Sequence, residues 1–304
     1  MISTRLARRL LTTGLVLTCL GTVESPPASA QTTLYPTGYV YRDVNGDPLP
    51  FQDHPTIVDV LRTAPIVDQE LMNRGVAGNI ELILEHHGTR IRAVLRVIDK
   101  EEREKTGSKS IILKFRDSYI YEAAAYELDM MLGIGRIPPT TVRRVGDHEG
   151  TVQIWMEGVT PEDILVDEDR LHPPNVERYK QQKAIMRVFD ALIANTDRNQ
   201  GNLLIDDHWN IWFIDHTRAF RQTSTLLGRD TLDTCERRLW TILSSTDRQA
   251  IRELMEPYLK SAEIKKLLRR RDKLIEHFQE RIDKLGEDAV LFDLLPPEDA
   301  SSED

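Results

Sequence analysis

The reading of this chain turns on one stretch: Asp190-Ala-Leu-Ile-Ala-Asn195-Thr-Asp197-Arg198-Asn199-Gln-Gly-Asn202-Leu-Leu-Ile-Asp206-Asp-His-Trp-Asn210-Ile-Trp-Phe-Ile-Asp215-His-Thr-Arg218-Ala-Phe220. Two apolar runs, Leu203 to Ile205 and Ile211 to Ile214, flank the polar segment Asp206–Asn210. That pattern is a hairpin of two short buried strands around a turn. A hairpin returns its outer ends to one place, so Asp197, Asn202 and Asp215 should converge there. Asp and Asn oxygens brought together suit a hard cation such as Mg²⁺. The plainer alternative is a generic hairpin with polar rims, since Asp and Asn are common in turns.

The helical block upstream adds to this. Tyr119 to Leu132 reads as a helix with Ile120, Ala124, Leu128 and Met131 on one stripe, stopped by Gly133 and Gly135. Ile137-Pro138-Pro139-Thr140 then gives an extended entry to a strand. Asn-Thr-Asp-Arg-Asn-Gln-Gly-Asn (195–202) and Phe-Ile-Asp-His (213–216) resemble the phosphatidylinositol 3-/4-kinases, the HipA-type kinases and the secretory-pathway (Golgi casein and xylose) kinases, and the 122–140 block resembles the lipid and secretory kinases among them. The resemblance covers roughly Ile80 to Phe220. It implies an α+β, two-lobed protein-kinase-like fold, with a small antiparallel sheet plus one helix followed by a mainly helical lobe. It also implies that Asp197 orients or deprotonates an acceptor hydroxyl. Asn202 and Asp215 would hold Mg²⁺ or Mn²⁺ on the phosphates of ATP, and Glu122 would position the cation that grips those phosphates.

At that cation the sequence departs from the pattern. The lysine expected at the end of an apolar strand is replaced by Arg96, after Ala93-Val94-Leu95. Lys114 lies only eight positions before Glu122. Either Arg96 takes the role or Lys114 reaches in; a planar fork and a point charge are not equivalent at a phosphate. Thr151 to Gly158 reads as the strand leaving the first lobe, so Trp155 and Met156 line an adenine slot or serve as plain core. Gly75 and Gly78 precede the first strand and suit either a phosphate-covering loop or an ordinary turn.

Residues 1–30 have the form of a secretory signal peptide: Arg5, Arg8 and Arg9, an apolar Leu10–Leu20 run too short to span a bilayer, and Ala28-Ser29-Ala30 before the cut. An N-terminal amphipathic helix that stays on is the alternative. Removal of this segment takes three arginines and one glutamate, moving the net charge from −9 to −11. An acidic surface argues against nonspecific nucleic-acid binding. Of the two cysteines only Cys235 would remain, so no intramolecular disulfide is expected. No later run is apolar enough to be a membrane span.

The remaining organisation reads as an extended leader (31–65), a first lobe (66–158), a second lobe (159–290) and a disordered acidic tail (291–304). Asp99–Ser110 reads as a charged mobile insert, Glu162–Asp169 as acidic linker, and Val176–Ala194, Leu232–Leu243, Arg248–Leu259 and Ile264–Leu285 as helices. The basic Lys265–Lys273 stretch is either a solvated face or a patch for an anionic partner or lipid surface. The resemblance implies an exported, bacterial-style kinase-like protein acting on a hydroxyl of a protein, sugar or lipid. Two alternatives stay open: a nucleotide-binding pseudokinase, favoured by Arg96, and a protein nucleotidyl-transferase.

Overall fold

The computed structural model describes residues 37–72, 79–106 and 111–297, with backbone alone over 102–115. The chain first forms helix α1 (His54–Thr63) and strands β1 (Ile66–Leu71), β2 (Ile80–His86) and β3 (Thr89–Arg96). A hairpin of β4 (Asp99–Thr106) and β5 (Ile111–Ser118) leads into α2 (Ile120–Met131), and β6 (Thr140–Val145) and β7 (His148–Ile154) follow. The main sheet has the order β1-β2-β3-β7-β6, and every neighbour pair in it is antiparallel. The second half carries β8 (Thr160–Pro161), α3 (Glu162–Asp167), α4 (Val176–Ile193), β9 (Leu203–Ile205) and β10 (Ile211–Phe213). It ends with β11 (Cys235–Glu236), α5 (Arg237–Ser245), α6 (Arg248–Met255), α7 (Ser261–Leu285), α8 (Glu287–Val290) and β12 (Leu291–Phe292).

This is the α+β, two-lobed arrangement expected. Two apolar cores meet at the β9–β10 hairpin. Alternation along β10 points Ile211 and Phe213 into the helical core, with Phe189, Leu192 and Leu267, while Trp212 enters the sheet core, with Leu82, Leu95 and Ile154. The hairpin is therefore gripped by both lobes.

Five expectations need correction. The segment read as an extended leader carries α1, capped by the Asp53 side chain at Thr56 N–H and started by Pro55, with Ile57, Val60 and Leu61 buried in the sheet core. Asp99–Thr106 is not a loose insert but pairs in register with Ile111–Ser118. The acidic linker is mostly α3, whose buried Glu162 is answered by Tyr179 Oη and by Lys183 Nζ at 2.6 Å. The tail starts later than expected, because Leu291–Phe292 pair in parallel with Cys235–Glu236. In addition, the helix expected from Leu232 begins at Arg237, after that strand. The signal-peptide segment, Gly75, Gly78 and residues 298–304 lie outside the described residues.

Candidate active site

The loop after α4 is shaped by one arginine. The helix ends at Ala194 in a left-handed conformation (φ 53°), which turns the chain back over the last turn of α4. Arg198 forms a two-pronged ion pair with Asp190, Nε to Oδ2 at 3.0 Å and Nη2 to Oδ1 at 3.1 Å. Its Nη1 donates to the carbonyls of Asn202 and Ile214, both at 2.9 Å, and its Nη2 to His216 Nε2 at 2.9 Å. All five guanidinium N–H groups are thus engaged. The carbonyls of Asn202 and Ile214 belong to the outer ends of β9 and β10, so one side chain fastens both.

Backbone and side-chain bonds then bring the expected trio together. Asn202 Nδ2 donates to Asp197 O at 3.0 Å, and Ile214 N–H donates to Asn202 O at 3.2 Å. Asp215 follows with φ 60°, a left-handed conformation costly for a residue other than glycine and characteristic of functional sites. The carboxylate of Asp215 is half-buried and accepts from Thr217 Oγ1 at 3.2 Å. Burial and then the Glu122 charge raise its pKa, partly offset by Arg96.

An always-charged arginine donating to His216 Nε2 leaves the ring proton on Nδ1. That N–H donates to Glu122 Oε2 at 3.2 Å, while the His216 backbone N–H donates to Glu122 Oε1 at 2.5 Å. Glu122 is wholly buried. Burial alone would raise its pKa; the Arg96 charge and the bonds to His216 outweigh it and hold the carboxyl at about 2.

Arg96 closes β3 and is buried. Its Nη1 donates to Gln153 Oε1 at 3.1 Å, and Gln153 Nε2 in turn donates to Thr140 Oγ1 at 2.8 Å. Gly150 lets β7 pass close by: a Cβ there would stand 2.4 Å from Arg96 O. Arg96, Gln153, Trp155, Met156, Asn202 and Asp215 all line one cleft of about 390 Å³. The N–H and C=O of Met156 make no hydrogen bond to any described residue. Asp197 stands beside the cleft, 3.5 Å (Oδ2) from Arg218 Nη1, and Arg218 Nε donates to the buried Asp117 Oδ2 at 2.9 Å. Arg218 thus spans Asp117 and Asp197.

Among the described residues no three His, Cys, Asp or Glu side chains stand together as a metal site. The pair Asp215 and Asn202 offers one carboxylate and one amide oxygen. That set fits an ion that takes its remaining ligands from phosphate oxygens and water, as Mg²⁺ does. A carboxylate whose ionised form is disfavoured by burial and by a neighbouring glutamate is the place where a cation gains most.

The structure brings Asp197, Asn202, Asp215, Arg96, Glu122, Trp155 and Met156 into one neighbourhood. Lys114 lies on β5 opposite Arg103, but its side chain falls outside the described residues. The basic stretch at 265–273 is not all surface. Arg270 is buried against the carbonyls of Leu192, Arg221 and Thr223, and Arg271 against those of Leu243, Ser244 and Thr246. Both serve helix and loop carbonyls rather than a partner. Sequence reasoning missed Arg198, His216, Gln153 and Asp117. A signal existed for Arg198 and His216, which directly follow Asp197 and Asp215, but none for the others.

No family model and no curated protein matches the chain. Solved structures do. The Golgi casein kinase is 17% identical over 78% of this chain and 79% of its own, with a TM-score of 0.57. The same enzyme with Mn and ADP bound gives 16%, 81%, 80% and 0.58. Hydra Fam20 with sugar gives 14%, 78%, 91% and 0.56. At these identities the likeness is one of fold, and that fold is the two-lobed, protein-kinase-like one.

Proposed function

We propose that the protein is an exported kinase-like phosphotransferase that moves the γ-phosphoryl group of ATP to a hydroxyl of a protein, sugar or lipid. The observation that carries this reading is the cleft that holds Arg96, Gln153, Trp155, Met156, Asn202 and Asp215 on one wall system, with Asp197 at its edge. The base would lie against Trp155 and bond the free N–H and C=O of Met156. Arg96, braced by Gln153, would hold the phosphates. Asn202 and Asp215 would hold a divalent ion, which supplies charge neutralisation across the phosphate oxygens. Asp197 would accept the proton of the acceptor hydroxyl as its oxygen bonds to phosphorus and the bond from phosphorus to the ADP oxygen breaks. The likeness in fold to the Golgi casein kinase solved with Mn and ADP bound supports a nucleotide and a divalent ion as ligands. Export rests on the form of residues 1–30. No described helix is long and apolar enough to cross a membrane.

Arg96 favours a second reading, nucleotide binding without turnover, because a guanidinium fork replaces the expected ammonium. Nucleotidyl transfer onto protein is a third. Incubation of the purified protein with Mn-ATP or Mg-ATP, followed by intact-mass measurement of the protein and of candidate acceptors, separates them. A phosphoryl adduct with ADP release is expected. An adenylyl adduct would select nucleotidyl transfer; ATP binding without an adduct would select the pseudokinase; absence of ATP binding would remove all three. Arg96→Ala is expected to weaken ATP binding by about 1.5–3 kcal/mol, roughly ten- to a hundredfold, read by calorimetry.

A further inference from the structure

Glu122 sits in the first turn of α2 and is absent from the cleft wall. Its hydrogen bonds go to His216, while that of Arg96 goes to Gln153. The helix carboxylate is therefore coupled directly to the segment carrying Asp215, and to the β3 cation only through the field of its charge. We propose that Glu122 and His216 are positioning residues. They form a bolt by which α2 sets the conformation of Asp215 and so assembles the cation- and phosphate-holding site. This inference rests on the phosphotransferase reading above.

Two observations carry it. First, the peptide that Glu122 grips is the one joining Asp215 to His216, so holding its N–H restrains the ψ angle of Asp215. Asp215 is in a left-handed conformation that persists only where the surroundings over-determine it. Second, the segment is held from three separate elements. Glu122 of α2 takes His216 N–H, Arg198 takes Ile214 O and His216 Nε2, and Ser118 N–H at the end of β5 takes Thr217 O at 2.8 Å.

The two bonds of the imidazole can be separated. His216→Asn places an amide N–H where Nδ1 stands and keeps the bond to Glu122. His216→Gln reaches toward Arg198 and gives that bond up. Two readouts are taken on the full-length protein: Mn-ATP affinity by calorimetry, and amide hydrogen exchange over residues 214–218 without ligand. The Asn variant is expected to stay within about threefold of wild type in both. The Gln variant is expected to lose about tenfold or more in affinity and to exchange about tenfold faster. Equal losses in both variants, or none in either, would overturn the bolt. If the wild-type protein does not bind Mn-ATP, the phosphotransferase reading falls and the exchange data decide the bolt alone. Should a His216 variant fail to fold, Glu122→Gln keeps an acceptor for the backbone N–H but not for both donors. Exchange over 214–218 must then rise about threefold or more, and unchanged exchange would overturn the proposal.

Discussion

The two ends of the β9–β10 hairpin use the same residue types and do opposite things with them. At the turn, Asp206 is buried and saturated. Its Oδ1 accepts from the N–H groups of His208 and Asn210, both at 2.9 Å, and its Oδ2 accepts from Asn210 Nδ2 at 2.8 Å and Trp212 Nε1 at 2.9 Å. At the open end, Asp215 accepts from Thr217 Oγ1 at 3.2 Å, in a strained conformation and with its charged form disfavoured. A buried carboxylate answered on every side is scaffold. One left short of donors, at the edge of a cleft and beside a second carboxylate, is set up for a cation from outside.

The same substitution at the two ends is the sharpest way to break this comparison. Asp206→Asn turns one acceptor oxygen into a donor facing N–H groups, and should cost about 3 kcal/mol or more, measured by denaturant unfolding. A loss under about 1 kcal/mol would mean that the turn does not depend on its carboxylate.

Glu122 is a second answered carboxylate, and pH tests it. Its folded pKa of about 2 lies below the ordinary 4.5. It therefore contributes stability above pH 4.5 that disappears as pH falls toward 2, about 3 kcal/mol over that window. Glu122→Gln should flatten the acid limb of the stability curve there; an unchanged limb would show that the carboxylate is not held by its partners. A smaller effect on folding is expected from Asp197→Asn, since Asp197 is only half-buried at the cleft edge. Turnover should drop by about 10²–10⁴-fold with ATP affinity kept. Retained turnover would remove Asp197 from the proton transfer.

How much of this was readable beforehand depended on distance along the chain. The hairpin, α2 and α4 carry their periodicity in consecutive residues, and the structure has them within a few positions. The α1 signal was present as Asp53, Pro55 and the Ile57–Leu61 spacing, but its Pro- and Gly-rich surroundings obscured it. Strand β4 shows no alternation, because Asp99-Lys-Glu-Glu-Arg-Glu-Lys is charged on both faces; its pairing with β5 decides its conformation. Within the site, the convergence of Asp197, Asn202 and Asp215 followed from hairpin geometry alone. The partners of Glu122 did not, because His216 lies 94 residues away and its role appears only when α2 and β10 meet. Gln153 acts through a cross-strand neighbour, which a linear pattern does not reveal.

The most direct test of the account is Asp215→Asn, followed by thermal unfolding with and without Mg-ATP or Mn-ATP. The account expects the variant to melt at the wild-type temperature or above it without metal, because a charge disfavoured by burial and by Glu122 has gone. It also expects the stabilisation by metal-ATP seen in wild type to vanish. A variant destabilised by about 3–5 kcal/mol without metal, with no difference on adding metal-ATP to either protein, would make Asp215 half of a structural ion pair and contradict the kinase-like function.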